Sequence, residues 1–158
     1  MKQMDKYIGF KFIEAMPMNK VDYETERTGE DVYLKCRNEE GYKVVYPDGY
    51  VSWSPKDVFE KAYLKVTPNP RLTNTDISIS QGMVDDFIKE THVSTIGDKT
   101  TLVRVILVNG FEIIESSACV DKSNYNEKIG AEVCLKKIKD KVWFLLGFLL
   151  QTAVVGIK

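Results

Sequence analysis

Residues 100–120, TTLVRVILVNGFEIIESSACV, carry the strongest fold signal in the chain. Threonine, valine, isoleucine and leucine dominate the runs Thr100–Val108 and Phe111–Val120, which is typical of strands. The pair Asn109-Gly110 joins them, and this dipeptide between two β-rich runs predicts a two-residue hairpin turn with φ > 0 at both residues. These residues therefore predict a β-hairpin.

A two-residue turn fixes which residues face one another across the hairpin. It places Arg104 opposite Glu115, and Val103 opposite Ser116. Both faces of the hairpin carry several apolar side chains. We therefore expect one face to pack on helices and the other to contact something else.

Helical patterns flank this hairpin on both sides. Ser78 and Gln81 have the spacing of a capping box, and an apolar stripe follows at Met83, Val84, Phe87 and Ile88. A strand is predicted over Thr91–Ile96. A last helix is predicted to begin near Asn124, with its stripe at Ala131, Cys134, Leu135, Ile138, Val142, Leu145 and Leu149. Residues 77–158 thus predict a helix, an antiparallel β-meander and a helix.

The first half of the chain predicts a smaller module over residues 1–66. A strand-like run covers Tyr7 to Met16, and Pro47-Asp48-Gly49 is a turn between two further β-rich runs. Ser54 and Pro55 are predicted to be the N-cap and first residue of a short helix. The proline-rich stretch 67–76 is predicted to be a linker. The predicted fold class is α+β, in two small modules.

Composition excludes several classes of protein. With 22 basic and 23 acidic residues the formal charge is −1, which makes nucleic-acid binding unlikely because that needs a basic surface. Three cysteines without Cys-x-x-Cys spacing argue against disulfides or a zinc site. No apolar run follows the initial methionine, so no signal peptide is expected, and the longest apolar run is shorter than the roughly 20 residues of a membrane span.

The sequence offers little that could catalyse a reaction. His92 is the single histidine, and no serine or cysteine nucleophile signature accompanies it. Asp85 and Asp86 are adjacent on a predicted helix, so their side chains point roughly 100° apart and cannot share one site. We therefore predict a protein that is not an enzyme and that has no cofactor and no metal.

Six residues are candidates for binding a ligand, and each has a structural alternative. Arg104 could bind a phosphate or simply pair with Glu115 across the strands. Ser116 and Ser117 could donate hydrogen bonds or allow close packing, while the lysines of the last helix, including Lys137, could form a solvated face. In the first module the aromatic candidates, which could stack a base or fill a core, are Tyr50 and Trp53.

The end of the last helix is apolar on more than one side. Four residues point away from the predicted stripe, namely Trp143, Phe144, Phe148 and Leu150. In so short a chain, a second subunit could cover them. We therefore predict a homo-oligomer with this interface.

Residues from about Asp76 to Gln151 resemble a family of short tailed-phage proteins of unassigned function. The resemblance rests on Asn109-Gly110-Phe111 and on Ser117-Ala118-Cys119-Val120-Asp121, followed in order by Asn124, Gly130, Trp143, Gly147 and Leu150. The family pattern has a glutamate before the last glycine and a tyrosine after it, where this chain has Leu146 and Phe148.

The first module resembles short N-terminal modules of phage and prophage proteins that also precede Thoeris anti-defence domains. This similarity rests on Tyr7-Ile8-Gly9, Pro17-Met18 and residues 41–63. The resemblances imply a counter-defence protein that sequesters a nucleotide immune signal in the cytoplasm of the infected bacterium. The alternative is a phage protein that inhibits a host protein without any small ligand.

Overall fold

A computed structural model describes residues 4–73 and 77–158 of the chain. The chain divides into two compact units. The first runs to Lys65 and includes Thr152–Lys158, and the second is Val66–Gln151. Within the described residues each unit contains a three-stranded antiparallel sheet with helices, which confirms the α+β class. The last three residues of the predicted linker, 74–76, lie outside the described residues.

The sheet of the first unit has the order β1-β2-β3. The strands are β1 (Glu14–Pro17), β2 (Gly41–Val45) and β3 (Val51–Pro55), and the helices are α1 (Lys20–Thr28) and α2 (Lys56–Ala62). The predicted turn joins β2 to β3. Gly49 has φ +85° there, and its N–H donates to the Tyr46 carbonyl at 2.9 Å.

Two predicted boundaries in the first unit are wrong. The strand predicted over Tyr7 to Met16 is regular only from Glu14, because Glu14 already faces Val45, the last residue of β2. Ser54 is not a helix cap. It pairs with Tyr42 in the sheet, so α2 begins only after Pro55, whose ring provides no side-chain cap.

The second unit has the predicted helix–meander–helix order. Its elements are α3 (Gln81–Phe87), β4 (Ile88–Ile96), β5 (Thr100–Leu107), β6 (Glu112–Ala118) and α4 (Glu127–Val155). The last residues of α4, from Thr152, are assigned to the first unit. The cap of α3 is Ser80, whose hydroxyl accepts from the Met83 N–H at 3.2 Å, and not Ser78. Asn126 accepts from the Ile129 N–H at 3.2 Å and so caps α4.

The hairpin register differs by one residue from the prediction. Arg104 faces Ile114, and Val103 faces Glu115. The Leu107 N–H donates to the Phe111 carbonyl at 2.8 Å, so three residues and not two form the loop. Of the two turn residues only Gly110 has positive φ, at +83°. This is the three-residue hairpin loop with glycine in the left-handed position.

One face of the second sheet packs on α4. The odd-numbered residues of β5 are buried there, and four α4 side chains spaced four residues apart cover them, namely Cys134, Ile138, Val142 and Leu146. The predicted stripe continued from Val142 to Leu145 and Leu149 and did not include Leu146. Leu146 is buried in the core, whereas Leu145 and Leu149 are only partly buried and pack at its margin.

The described part of the predicted linker is bound to the second unit. Thr67 and Ser80 share a hydroxyl–hydroxyl hydrogen bond of 2.5 Å, and the Asn69 amide donates to the Ile79 carbonyl at 3.0 Å. Over residues 4–73 and 77–158, no helix combines the length and apolar character that crossing a bilayer requires.

Candidate functional site

The face of the second sheet opposite α4, here called the outer face, lies open. The register places Arg104 in one row with His92 and Ile114. The neighbouring rows hold Ser94, Leu102 and Ser116 on one side and Glu90, Ile106 and Glu112 on the other. Ile114 is 54% exposed. The outer face is therefore a surface of mixed aliphatic and polar side chains.

Arg104 is paired with a carboxylate, but not with the predicted one. Its Nη1 lies 3.1 Å from Oε1 of Glu112, and both side chains are well exposed. Glu115 lies on the helix-facing side because of the one-residue register difference. There it accepts from Lys141, which holds the pKa of Glu115 below its usual value. An anion that bound Arg104 would have to compete with Glu112.

The two predicted serines lie on opposite faces of the sheet. Ser116 is exposed on the outer face, diagonal to Arg104 across the strand pair. Ser117 faces Thr101 on the helix side and is half-buried. Lys137 extends from α4 to the edge of β6, where its Nζ donates to the Ser116 carbonyl at 3.4 Å. Of the predicted ligand residues in this unit, only Arg104 and Ser116 therefore share the outer face.

The aromatic candidates lie in the first unit. Trp53 is half-buried, and its indole N–H donates to the Met18 carbonyl at 2.8 Å. Its ring packs against Gly41 so closely that a Cβ at residue 41 would fall 2.4 Å from the indole. Trp53 is thus part of the packing of its sheet. Tyr50 is 64% exposed, and its ring centroid is 5.7 Å from that of Tyr46.

A shallow groove of about 360 Å³ runs along the free edge of β6, with outer-face residues of β6 on one side and α4 on the other. Three exposed apolar side chains line it, Phe111 at 57%, Ile114 at 54% and Phe144 at 75%. Glu112 and Lys141 add charges to its wall. We call it the aromatic groove. Phe111 and Ile114 were not among the predicted site residues. Ile114 alternates with Glu112 and Ser116, which marks it as a surface residue, but Phe111 alternates with the buried Ile113, so the strand pattern does not indicate its exposure.

The four predicted interface residues divide into two pairs. Trp143 and Leu150 were expected to point away from the core, but they pack partly against it. Phe144 and Phe148 are 75% and 63% exposed. The interface itself stays a prediction.

A second depression, of about 460 Å³, lies at the far end of the sheet. Asp98, Lys99, Val120, Asp121 and Lys122 line it. Asp121 caps the following 3-10 turn, and its hydrogen bonds from Ser123 hold the pKa of Asp121 below its usual value. Its charged groups are thus largely engaged with one another and with the backbone, since Lys99 donates to the Val120 carbonyl and Lys122 lies 3.9 Å from Asp98.

Several residues that carry the family resemblance have structural roles. Asn109 accepts from the Phe111 N–H at 3.0 Å in the turn, and Asp121 caps the turn after β6. Gly130 allows α4 to approach β5. Phe111 is the exception among the hairpin residues, because it is exposed and lines the aromatic groove.

Comparison with known proteins gives one match, in the second half of the chain. Residues 79–154 match the model of the phage protein (N4 Gp49/phage Sf6 gene 66) family. The match covers the helix–meander–helix arrangement and supports a phage protein family, as the motifs of the second module implied. The resemblance of the first module stays a prediction. No curated protein and no solved structure shows significant similarity to the chain.

Proposed function

We propose that the protein is a non-catalytic phage accessory protein that binds and inhibits a protein of the bacterial host. The observation that carries this proposal is the aromatic groove, with Phe111, Ile114 and Phe144 exposed together. Contiguous exposed apolar side chains beside charged ones are characteristic of protein-binding surfaces. Small-molecule sites are instead concave and enclose most of their ligand.

The chemistry of the groove indicates the kind of partner. Its aromatic walls would accept an apolar side chain from the partner, and such buried anchors supply most of the binding energy in protein interfaces. Glu112 and Lys141 at its wall would favour partners that place a charge of opposite sign next to each of them. We therefore expect a partner that offers an exposed apolar residue flanked by polar ones.

A binding role also fits the surroundings of the single histidine. His92 is half-exposed, and its Nε2 lies 3.3 Å from Oε2 of Glu90 on the same strand. The groups beside it in its row are Arg104 and Ile114, neither of which is a nucleophile. This supports a function by binding.

A second candidate is sequestration of a host nucleotide immune signal. It is favoured by the outer face, where Arg104 and Ser116 lie together and Leu102 could contact a base. The pairing of Arg104 with Glu112 makes it the weaker candidate, because an anion would have to displace that carboxylate.

Affinity capture from infected cells tests the leading candidate. Tagged wild-type protein is compared with Phe144→Ser and with Val120→Ser, a control at a 97% exposed apolar residue away from the groove. We expect one host protein to be enriched by the wild type and by Val120→Ser but lost with Phe144→Ser, and the purified pair to bind directly. Equal enrichment by all three proteins would contradict the proposal.

Calorimetry tests the nucleotide candidate with cyclic dinucleotides, cyclic trinucleotides and cyclic ADP-ribose isomers. If Arg104 binds phosphate, Arg104→Gln should weaken binding, whereas Glu112→Gln should strengthen it by freeing the guanidinium. These opposite signs distinguish a ligand-binding arginine from a structural ion pair. Absence of heat across the panel would exclude these signals as ligands.

A further inference from the structure

The first strand of the second sheet, β4, has an open edge. The sheet order is β4-β5-β6, so β4 is an edge strand, and every residue from Lys89 to Ile96 is exposed. In a central antiparallel strand, the backbone groups of one residue bond to the strand on one side, and those of the next residue bond to the strand on the other side. Leu107 bonds to β6, so the even-numbered residues of β5 bond to β4. The N–H and C=O groups of Thr91, Val93 and Thr95 therefore point to the free edge.

The two edges of this sheet differ in how they are protected. At the β6 edge, Lys137 of α4 donates to the outward carbonyl of Ser116, so a charged side chain lies over this edge. At the β4 edge the charged residues Lys89 and Glu90 lie at the start of the exposed stretch, and the six residues that follow, Thr91–Ile96 (THVSTI), contain neither proline nor an Asp, Glu, Lys or Arg residue. Long uncharged edges of this kind pair with another strand.

We propose that β4 pairs antiparallel with β4 of a second copy of this chain, with Val93 opposite Val93. Symmetry and geometry select this register. Residues whose backbone groups point to the free edge must face one another across the new pair. The regular part of the strand is limited by the bulge at Ile88/Glu90 and by Gly97, whose φ is +64°. Centring the pair on Val93 uses Thr91, Val93 and Thr95 of both copies and forms about six backbone hydrogen bonds.

The side chains are compatible with this pairing. Thr91 faces Thr95 of the second copy, and the two valines meet at the symmetry axis. His92 faces Ser94 of the second copy on the outer face, so no like-charged strand residues oppose one another between Thr91 and Thr95. The Thr95 hydroxyl is bonded to Tyr125 and Glu127 of its own chain, so one carboxylate lies beside each Thr91–Thr95 pair. Val93 is 42% exposed although it lies on the helix-facing side, and the pairing would cover it.

The paired strands would join the two sheets into one of six strands. Its outer face would run continuously across both copies, and each copy would keep its aromatic groove, because that groove lies beside β6. The inference does not depend on the proposed function. It gives a bivalent protein whichever partner the groove binds.

Site-specific cross-linking tests the register. In a Cys36→Ser/Cys119→Ser background, Val93→Cys should give a covalent dimer with a short bismaleimide, because the two residues face one another across the axis. The control is Thr91→Cys, whose equivalent in the second copy lies four residues, or roughly 13 Å, further along the strand. We expect most of the Val93→Cys protein and only a trace of the Thr91→Cys protein to cross-link. Equal cross-linking of both variants would overturn the register.

Hydrogen exchange on the unmodified protein gives a second readout. The amides of Thr91, Val93 and Thr95 should become protected as protein concentration rises, while the amides of His92 and Ser94 are protected at every concentration. Sedimentation should show the corresponding change from the 18.1 kDa chain to a dimer. A concentration-independent 18.1 kDa species with fast exchange at those three amides would overturn the proposal.

Discussion

Gly130 at the start of α4 lies directly against Thr101 of β5. A Cβ at residue 130 would fall 2.1 Å from Oγ1 of Thr101. Thr101 is fully buried, and its hydroxyl is 3.0 Å from the hydroxyl of Tyr125. The absent side chain at residue 130 thus sets how closely α4 approaches the sheet.

We predict that Gly130→Ala lowers the free energy of unfolding by about 1–3 kcal/mol, because the added methyl group has no space beside Thr101. The matched control is Gly147→Ala in the same helix, where a Cβ meets nothing within 4 Å. That change should stabilise the helix by up to about 1 kcal/mol. Urea unfolding measures both, and equal effects of the two substitutions would contradict the close approach.

The hairpin loop gives a prediction that separates the observed turn from the two-residue turn. Gly110→Val should cost on the order of 1–2 kcal/mol because residue 110 has positive φ. Asn109→Ala should cost only the hydrogen bond to the Phe111 N–H, about 0.5–1.5 kcal/mol. Asn109→Val distinguishes the two turns. In the observed loop residue 109 does not have positive φ, so this change should lower stability no more than Asn109→Ala does. In a two-residue turn residue 109 would have positive φ, and the loss should equal that of Gly110→Val. Thermal unfolding measures all three variants.

Much of the second unit could be predicted because its signals are local. The β-rich run Thr100–Val108 and the Asn109-Gly110 pair are sufficient for a hairpin. The register was wrong because an Asn-Gly pair is compatible with two loop lengths, and a change of one residue moves each side chain to the opposite face. Arg104 therefore received the wrong partner, and Ser116 and Ser117 exchanged faces.

The candidate site was harder to predict because contacts distant in sequence create it. Phe111 and Phe144 are 33 positions apart, and only the packing of α4 on the sheet brings them to one groove. Likewise, the hydrogen bond from the Trp53 indole to the Met18 carbonyl joins residues 35 positions apart. No periodicity in the sequence indicates that hydrogen bond.

The ion pair between α3 and α4 gives a pH-dependent prediction. Lys139 lies 2.7 Å from Asp85, and this hydrogen bond holds the pKa of Asp85 below its usual value, with a smaller contribution from Gln81. A lowered pKa in the folded state stabilises the fold above the unfolded pKa of about 3.9, and the effect is lost as pH falls through the folded value.

We therefore expect Asp85→Asn to lower stability at pH 7 by a few tenths of a kcal/mol to about 1 kcal/mol, since the pair is well exposed. The difference from wild type should disappear as the pH falls below about 3. Asp86→Asn, at the exposed neighbouring position, is the control. If Asp85→Asn lowered stability by the same amount at pH 7 and below about pH 3, Asp85 would act through something other than its charge.

The last prediction concerns Trp53, which sequence alone offers as a ligand platform and which the structure uses for packing. Trp53→Phe removes the donor to the Met18 carbonyl and should destabilise the first unit by about 1–3 kcal/mol. Hydrogen exchange of β2 should accelerate accordingly, because Trp53 faces Lys43 in that sheet. Tyr50→Ala, at an exposed aromatic residue, should change stability by roughly 0.5 kcal/mol or less. If Trp53→Phe instead leaves β2 exchange unchanged and abolishes binding of a nucleotide, the indole is a ligand platform.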